Sequence, residues 1–221
     1  LFRSGVNFAW AQILRIATMH RMLDMYGALP YSQISSDKLS TPYDTMEEAY
    51  HAMFTDLTDA INVMTVYVTE NPNNRTMAKY DKVYDGDFEK WVKFANSLKL
   101  RMAIRIRFAD REYARQMAEE AINHSIGVIT SNEDNATSLG TKNQLYTVLV
   151  QWPDQCVSAD ITSYMKGYND PRMSKYFKKK TSDKGDDDYV GMRAGLSYGN
   201  DITGPTFSRI NVGEMDRTLW M

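Results

Sequence analysis

The chain has 221 residues, of which 43% are hydrophobic and 12% aromatic, enough to bury the core of one large domain or two small ones. Its 26 Lys and Arg residues nearly balance 28 Asp and Glu residues, so the formal charge is −2 and no overall field attracts nucleic acid or an anionic membrane surface. The single cysteine, Cys156, excludes an internal disulfide framework and a cysteine-rich zinc site but leaves the compartment open. The sequence contains no run of about 18 apolar residues, so it predicts no membrane-spanning helix.

Helical spacing of apolar residues predicts the first two helices. The first runs from Val6 to Met25 and stops at Gly27. The second begins after Thr45, because Thr45-Met46-Glu47-Glu48 has the pattern of a capping box. Its apolar residues lie three or four apart as far as Met64, so one face should pack against helical neighbours.

Two more helices are predicted by their capping residues. Asp87 is placed to cap a third helix that runs to about Phe108, and Asp110 is placed to cap a fourth that ends before Gly127. We expect these two helices to form an αα-hairpin. The helix starts are unequally spaced, so the sequence shows no strict repeat of the kind that predicts a solenoid.

The third predicted helix carries six Lys and Arg residues among its apolar ones. On a helical wheel most apolar residues fall on one broad arc, while Phe94, Ile104 and Phe108 form a second. The basic residues scatter around the wheel, whereas binding to nucleic acid or to an anionic bilayer needs them in one stripe. We therefore expect a helix packed on two sides, with some Arg heads near the interior and paired with carboxylates or carbonyls.

Beyond Gly127 the sequence becomes more polar and less periodic. The stretch LYTVLVQW predicts a short strand. A short helix is expected from Ser158 to Tyr168, and it should stop before Asn169-Asp170-Pro171-Arg172, because proline disfavours helix in the preceding residue. Glycine and charged residues dominate from Lys178 onward, which predicts mostly irregular, exposed chain without a core. The predicted fold class is mainly α, with helical hairpins, long irregular loops and a few short strands.

Three stretches of the chain, taken in order, resemble the sequence patterns of one protein family. They are D-x-V-Y-x-G-D-x-x-K-W-x-K-F-A-N-S-L-K-L-R-M-A-I-R-I from Asp81 to Ile106, LDMYGALPYSQI from Leu23 to Ile34, and YNDPRMSKYF from Tyr168 to Phe177. In this order they resemble SusD/RagB-type proteins, the outer-membrane nutrient-binding lipoproteins of Bacteroidota. The resemblance implies a scaffold of TPR-like helical pairs whose loops bind a glycan or oligosaccharide. It also implies a cell-surface location and a partner, a SusC-like TonB-dependent transporter that receives the nutrient.

The resemblance also sets an expected domain organisation. We expect a single SusD-like domain over residues 1–221 that is part of a longer protein, with a helical scaffold over about 6–127 and a loop-rich, ligand-side segment over about 128–221. The chain begins LFRSGVNFAW, without the pattern of a signal peptide. The N-terminal lipid anchor that attaches the family to the membrane is therefore expected to lie outside it.

Catalytic and metal-binding patterns are weak. Gly195-Leu196-Ser197-Tyr198-Gly199 fits G-x-S-x-G, but the nucleophile elbow needs a following helix and a downstream histidine, and all three histidines lie upstream. The acidic stretches Asp186–Asp188 and Asn132–Asn135 lack the order of a calcium loop, and we interpret them as solvated loops. We predict no catalytic residue, no metal site and no cofactor. Spacing alone cannot place paired carboxylates, so a glycoside hydrolase is left as an unsupported alternative.

Aromatic side chains are the remaining candidates for ligand contact, because a pyranose ring can stack on their flat apolar faces. Trp10, Tyr50 and Trp91 lie on apolar helix stripes and are expected in the core. Five others fall in irregular chain and are predicted ligand-binding residues: Trp152, Tyr146, Tyr189, Tyr198 and Trp220. The alternative is a helical protein-interaction scaffold without a small-molecule ligand.

Overall fold

The computed structural model describes residues 5–34, 40–137, 147, 152, 156–180, 188–196 and 207–211. Within these ranges the chain forms helices α1 (Val6–Tyr26), α2 (Met46–Glu70), α3 (Phe88–Ile106), α4 (Arg111–Ile122), α5 (Ala159–Gly167) and α6 (Met173–Tyr176). A 3-10 turn spans Asn132–Asp134, and strands β1 (Phe177–Lys178) and β2 (Arg209–Ile210) pair antiparallel. The predicted class, mainly α with TPR-like hairpins and few short strands, is confirmed.

The predicted helix starts are confirmed at the level of hydrogen bonds. Thr45 and Glu48 form the reciprocal capping box of α2: the Thr45 hydroxyl accepts from the Glu48 N–H at 3.2 Å, and the Glu48 carboxylate accepts from the Thr45 N–H at 2.8 Å. Asp87 and Asp110 cap α3 and α4, each by accepting the backbone N–H of the residue three positions later. α1 ends at Gly27, whose φ of +79° suits a residue without Cβ.

Contacts divide the chain into two units, one ending at Thr137 and one beginning after it. In the first unit α1 packs on α2, α2 on α3, and α3 on α4. The largest fully buried side chains of this core include Trp91, Tyr31, Phe54, Ile13, Ile16 and Leu23. Trp10 lies edge-on to the rings of Phe88 and Trp91, with centroids 5.7 Å apart in both pairs. Trp91 and Tyr50 are core residues as predicted, and Trp10 packs against the core while half-buried.

The second apolar arc predicted for α3 is only partly buried. Phe94 is 6% exposed, but Ile104 is 55% exposed and Phe108 is 88% exposed. The prediction of packing on two sides is therefore wrong near the C-terminal end. The reason is local: α3 ends at Ile106, so Phe108 lies in the following turn, where the Arg107 guanidinium covers its ring at 4.4 Å.

The basic residue inside the fold is a lysine, whereas arginine was expected. Lys99 is 3% exposed and donates to the Glu120 carboxylate of α4 at 2.6 Å. Lys93 donates to Asp134 of the 3-10 turn at 2.9 Å. Among the arginines of α3, Arg105 pairs with the Asp24 carboxylate of α1 at 3.2 Å, but its side chain is 59% exposed. The expected pairing of an arginine with a carboxylate is therefore found, although not in the interior.

The second unit has a small core of its own. Val157, Met165, Met173 and Phe177 are buried together, with Tyr189 and Ile210 partly buried against them. Backbone hydrogen bonds join distant segments here, among them Ser208 N–H to the Val190 carbonyl at 2.7 Å. After Lys178 the described chain is mostly irregular, as predicted, but it is not uniformly exposed. Tyr189 and Ile210 pack against this core and Ser208 is buried, because long-range hydrogen bonds hold these segments together. The predicted helix from Ser158 is confirmed as α5, whereas the LYTVLVQW strand lies outside the described residues apart from Thr147 and Trp152.

Candidate functional site

The pattern from Asp81 to Trp91 is built around one buried carboxylate. Asp81 is 1% exposed and accepts four hydrogen bonds. Its Oδ1 receives the backbone N–H groups of Val83 at 2.9 Å and Tyr84 at 3.2 Å. Its Oδ2 receives the Gly86 N–H at 3.0 Å and the Trp91 indole N–H at 2.7 Å. Asp81 therefore shapes the loop before α3 and fixes the largest aromatic ring of the core.

Gly86 completes this loop. Its φ is +76°, and a Cβ built there would lie 2.7 Å from the backbone nitrogen of Ala78. A larger residue would meet both a strained backbone and a steric clash. Together with Tyr84, whose hydroxyl donates to the Asp134 carbonyl at 2.8 Å, the pattern holds the loop, α3 and the 3-10 turn in place.

The turn after α1 is held in the same way by Asp44. Its carboxylate accepts from the Tyr31 N–H at 2.8 Å, the Ser32 N–H at 2.7 Å and the Ser32 hydroxyl at 2.5 Å. The Ser32 hydroxyl and N–H, helped by the Tyr31 N–H, keep the pKa of Asp44 below its ordinary value despite its burial. The Tyr31 ring lies under the Arg15 guanidinium at 4.1 Å, and its hydroxyl donates to Asp56 at 2.7 Å.

The Asn-Asp-Pro-Arg segment forms the end of α5. Asn169 adopts a left-handed conformation with φ of +50°. Its N–H donates to the Lys166 carbonyl at 3.1 Å, and the Asp170 N–H donates to the Met165 carbonyl at 2.9 Å. These are the two bonds of a Schellman motif with asparagine in the position usually taken by glycine.

Asp170 and Arg172 then form a fork at the start of the next turn. The Arg172 guanidinium donates through Nε at 2.9 Å and Nη2 at 2.6 Å, and its backbone N–H donates to the same carboxylate at 2.9 Å. These bonds lower the pKa of Asp170 to about 2. All three family-like patterns thus have structural roles, so they do not by themselves mark the place where a ligand binds.

The five predicted ligand-binding aromatics are not brought together by the described structure. Trp152 is 59% exposed. Tyr189 is half-buried against the small core of the second unit, and the Lys179 ammonium lies 5.8 Å from its ring centroid. Tyr146, Tyr198 and Trp220 lie outside the described residues. Their role in binding stays a prediction.

Sequence reasoning missed an exposed aromatic face on α5. Tyr164 is 69% exposed, and Tyr168, one helical turn later, is 81% exposed. Ile161 lies one turn before Tyr164 and is 44% exposed. The available signal was the helix itself: Thr162 and Met165 face the core, which leaves the tyrosines on another side. We call Ile161, Tyr164 and Tyr168 the α5 face.

A groove of about 400 Å³ lies in the first unit, where α1 and α3 end and α2 begins. Its lining residues are Asp24, Met46, Glu47, Tyr50, His51, Arg105, Ile106, Ala109 and Asp110. Asp24 Oδ1 accepts from the Tyr50 hydroxyl at 2.6 Å and lies 3.2 Å from Arg105 Nε. Burial and the Asp24 carboxylate raise the pKa of Tyr50, so the phenol keeps its proton and acts as a donor. We call this the three-helix groove.

The remaining chemistry in the described part of the chain is structural. There, no group of three or more His, Cys, Asp or Glu side chains is arranged to hold a metal ion. Asp134, which belongs to an acidic stretch weighed as a cation site, is paired with Lys93, and Ser197 to Gly199 of the G-x-S-x-G pattern lie outside the described residues. Among the helices described, none combines the length and the apolar character that crossing a bilayer requires.

Comparison with known proteins assigns the family. The SusD-like family model, described as Susd and RagB outer membrane lipoprotein, matches residues 3–221. A SusD homologue from Bacteroides uniformis is 43% identical, with a TM-score of 0.84 over 98% of this chain and 45% of its own. A SusD homologue from Bacteroides thetaiotaomicron is 35% identical, with a TM-score of 0.86 over 98% of this chain and 44% of its own.

A third similar structure is that of a protein described as binding chitin. A chitin-binding SusD homologue from Flavobacterium johnsoniae is 34% identical, with a TM-score of 0.83 over 97% of this chain and 44% of its own. The chain therefore spans less than half the length of these structures. No curated protein matches at a significant level. The family model and the solved structures agree over almost the whole sequence, and the chain belongs to the SusD-like family.

Proposed function

We propose that this chain belongs to a cell-surface lipoprotein of a Gram-negative outer membrane that captures a glycan or oligosaccharide. The observation that carries the proposal is the family match over residues 3–221, joined by a chitin-binding homologue 34% identical to this chain. The lipoprotein is attached by an N-terminal lipid anchor and delivers its ligand to a SusC-like TonB-dependent transporter. It binds the glycan without cleaving it.

Ligand contact in this proposal falls on the segment from about residue 128 to residue 221. The exposed tyrosines of the α5 face and the exposed indole of Trp152 offer flat apolar surfaces on which pyranose rings stack. Tyr146, Tyr189, Tyr198 and Trp220 remain proposed contacts of the same kind. Stacking on exposed rings buries little area, so each site binds modestly and releases its ligand readily to a transporter.

Calorimetric titration tests the capture role. The 221-residue chain is titrated with plant, host and microbial oligosaccharides, chitooligosaccharides among them, and the sugars are checked afterwards by chromatography. We expect saturable binding to at least one glycan, recovered intact. Shorter products that disappear on substitution of one Asp or Glu would instead indicate a glycoside hydrolase.

Substitution of the α5 face tests the proposed surface. Tyr164→Ala and Tyr168→Ala should each weaken binding by about fivefold, because one aromatic stacking contact is worth about 1 kcal/mol. Tyr80→Ala is the matched control, since Tyr80 is 67% exposed and lies in the first unit. Equal effects of all three substitutions would remove the α5 face from the proposal.

The transporter is tested with the full-length lipoprotein in its own membrane. Solubilisation in mild detergent followed by affinity purification should recover a TonB-dependent transporter in a stoichiometric complex. A partner complex combined with a flat calorimetric response, from a chain shown to be folded, would favour the alternative of a helical interaction scaffold without a sugar ligand.

A further inference from the structure

The three-helix groove contains polar atoms that the protein leaves unused. Asp24 and Arg105 come from α1 and α3, and their side chains are 27% and 59% exposed. The contacts found among the described residues engage Asp24 Oδ1, and Oδ2 accepts no hydrogen bond there. Arg105 has more N–H donors than its contacts with Asp24 and Tyr50 require. One open acceptor and several open donors therefore lie side by side.

This pairing fits two neighbouring hydroxyl groups of a sugar. One hydroxyl donates to Asp24 Oδ2, and the oxygen of the next accepts from the Arg105 guanidinium, with both bonds strengthened by charge. Beside this pair the groove is lined by Met46, Ile106 and Ala109, which supply an apolar surface for the C–H face of a pyranose ring. The volume of about 400 Å³ lies within the range of small-ligand sites.

Charge in the groove restricts which sugars suit it. Asp24 and Arg105 neutralise each other, and Glu47 and Asp110 add two carboxylates to the lining. Of these, Asp110 already caps α4 and lies 3.6 Å from His51 Nε2. Glu47 makes no hydrogen bond or ion pair with any described residue, so its charge remains available to a ligand. A further carboxylate, brought in by a uronic acid, would be repelled, while a protonated amine would be attracted.

We infer that the three-helix groove binds one sugar residue of a glycan through a pair of neighbouring hydroxyls, and that it prefers amine-bearing and neutral sugars to uronic acids. The inference rests on the proposed function, because it names a second contact point for the same class of ligand. The groove belongs to the first unit, whereas the contacts proposed above belong to the segment from about residue 128 to residue 221.

Nuclear magnetic resonance of the whole 221-residue chain tests the groove directly, because it detects weak binding residue by residue. The chain is titrated separately with glucosamine, glucose and glucuronate. We expect glucosamine and glucose to shift the Arg105 side-chain N–H and the backbone resonances from Ile106 to Asp110. Glucosamine should bind most tightly, and glucuronate should cause no shifts there.

Substitutions assign the effect to particular side chains. Arg105→Gln should weaken glucose binding at least tenfold, since hydrogen bonds to a charged group are worth about 1.5–3 kcal/mol. Glu47→Gln should lower the ratio of glucosamine to glucose affinity severalfold, and because Glu47 is exposed this substitution does not threaten folding. Arg115→Gln is the control, since Arg115 is 70% exposed and lies outside the groove.

The outcomes separate this inference from the proposed function. If oligosaccharides bind the chain but no groove resonance shifts, the groove inference is overturned and the capture role stands. If glucuronate binds as well as glucosamine, the charge argument is overturned. If neither the monosaccharides nor any oligosaccharide binds a folded chain, the groove inference and the proposed function fall together.

Discussion

Replacing Asp81 with asparagine should remove a large part of the stability of the first unit. Asp81 accepts four N–H groups, two on each carboxylate oxygen, and it is 1% exposed. An asparagine amide keeps one oxygen and presents its NH₂ group to the other two donors. In either orientation, two buried donors therefore lose their acceptor and meet another donor.

The size of the effect follows from that count. A buried donor left unsatisfied costs about 1–3 kcal/mol, so two of them cost roughly 2–5 kcal/mol after some relaxation of the loop. Single domains are stable by about 5–15 kcal/mol in total, so this loss is a substantial fraction. Asp81→Ala removes all four acceptor contacts and should cost more than Asp81→Asn.

Equilibrium unfolding in urea, followed by tryptophan fluorescence and circular dichroism, measures the loss. Asp85→Asn is the matched control, because Asp85 lies in the same loop, is exposed and has a φ of +51° that asparagine tolerates. We expect the control to change the unfolding free energy by less than about 0.5 kcal/mol. An Asp81→Asn variant as stable as this control would refute the argument.

A double-mutant cycle locates the cost. Trp91→Phe removes the indole donor that lies 2.7 Å from Asp81 Oδ2 and creates a small cavity. In the Asp81→Asn background the same substitution should cost less, because it removes a donor that the asparagine no longer satisfies fully. Strict additivity of the two substitutions would mean that the indole bond contributes nothing to the effect.

Three further substitutions test other parts of the structure. Gly86→Ala should lower the unfolding free energy by at least about 1 kcal/mol, because the position has φ of +76° and a Cβ there clashes with Ala78. His20→Leu should make stability less dependent on pH below about pH 6.5, because burial lowers the pKa of His20 from its ordinary value of about 6.5. Glu120→Ala should destabilise more than Lys99→Met, because it leaves the ammonium of Lys99, whose side chain is 4% exposed, without its carboxylate.

The direction of the His20 effect follows from proton binding. Below about pH 6.5 the unfolded chain takes up a proton at His20 and the folded chain does not, so wild-type stability is present at neutral pH and lost as the pH falls toward the lowered pKa. Its slope is at most about 1.4 kcal/mol per pH unit for this group. Arg101 and Arg21 favour the neutral ring, whereas Asp24 and the Ile16 carbonyl oppose them. Thermal unfolding at several pH values measures the slope, and equal slopes for His20→Leu and wild type would contradict this.

The predictions for Gly86 and for the Lys99–Glu120 ion pair can each be contradicted by a specific result. Gly127→Ala is a partial control for Gly86→Ala, since Gly127 has φ of +79° but nothing within 4 Å of a built Cβ. The clash argument fails if the two variants lose the same stability. Methionine at position 99 fills a similar volume without leaving a buried charge. The ion-pair argument therefore fails if Lys99→Met is more destabilising than Glu120→Ala.

The helices were predictable because their signals are local. The capping box at Thr45, the caps at Asp87 and Asp110, and the stop at Gly27 each depend on residues within four positions of one another. The family resemblance was recognisable from the sequence for the same reason, because its patterns contain residues that form hydrogen bonds within short turns. The burial of Lys99 was not predictable, because it depends on Glu120, which lies on another helix.

The candidate binding surfaces escaped prediction for a different reason. The three-helix groove joins Asp24, Tyr50 and Arg105 from three helices, and nothing in their separate surroundings indicates that they meet. The α5 face was not predicted, because aromatic residues in helices were expected to pack inward. In α5, a helix of nine residues, only Thr162 and Met165 are buried. Among described residues, tertiary contacts determine which aromatic is a surface and which is core.

The unequal sizes of the two hydrophobic cores affect how a ligand would act on the protein. Among the described residues, four buried side chains form the core of the second unit, whereas the core of the first unit extends over four helices. Backbone amides of the second unit should therefore exchange with deuterium sooner, since local opening there exposes little apolar surface. A glycan bound at the α5 face would slow that exchange in proportion to its affinity, so protection of α5 amides reports occupancy.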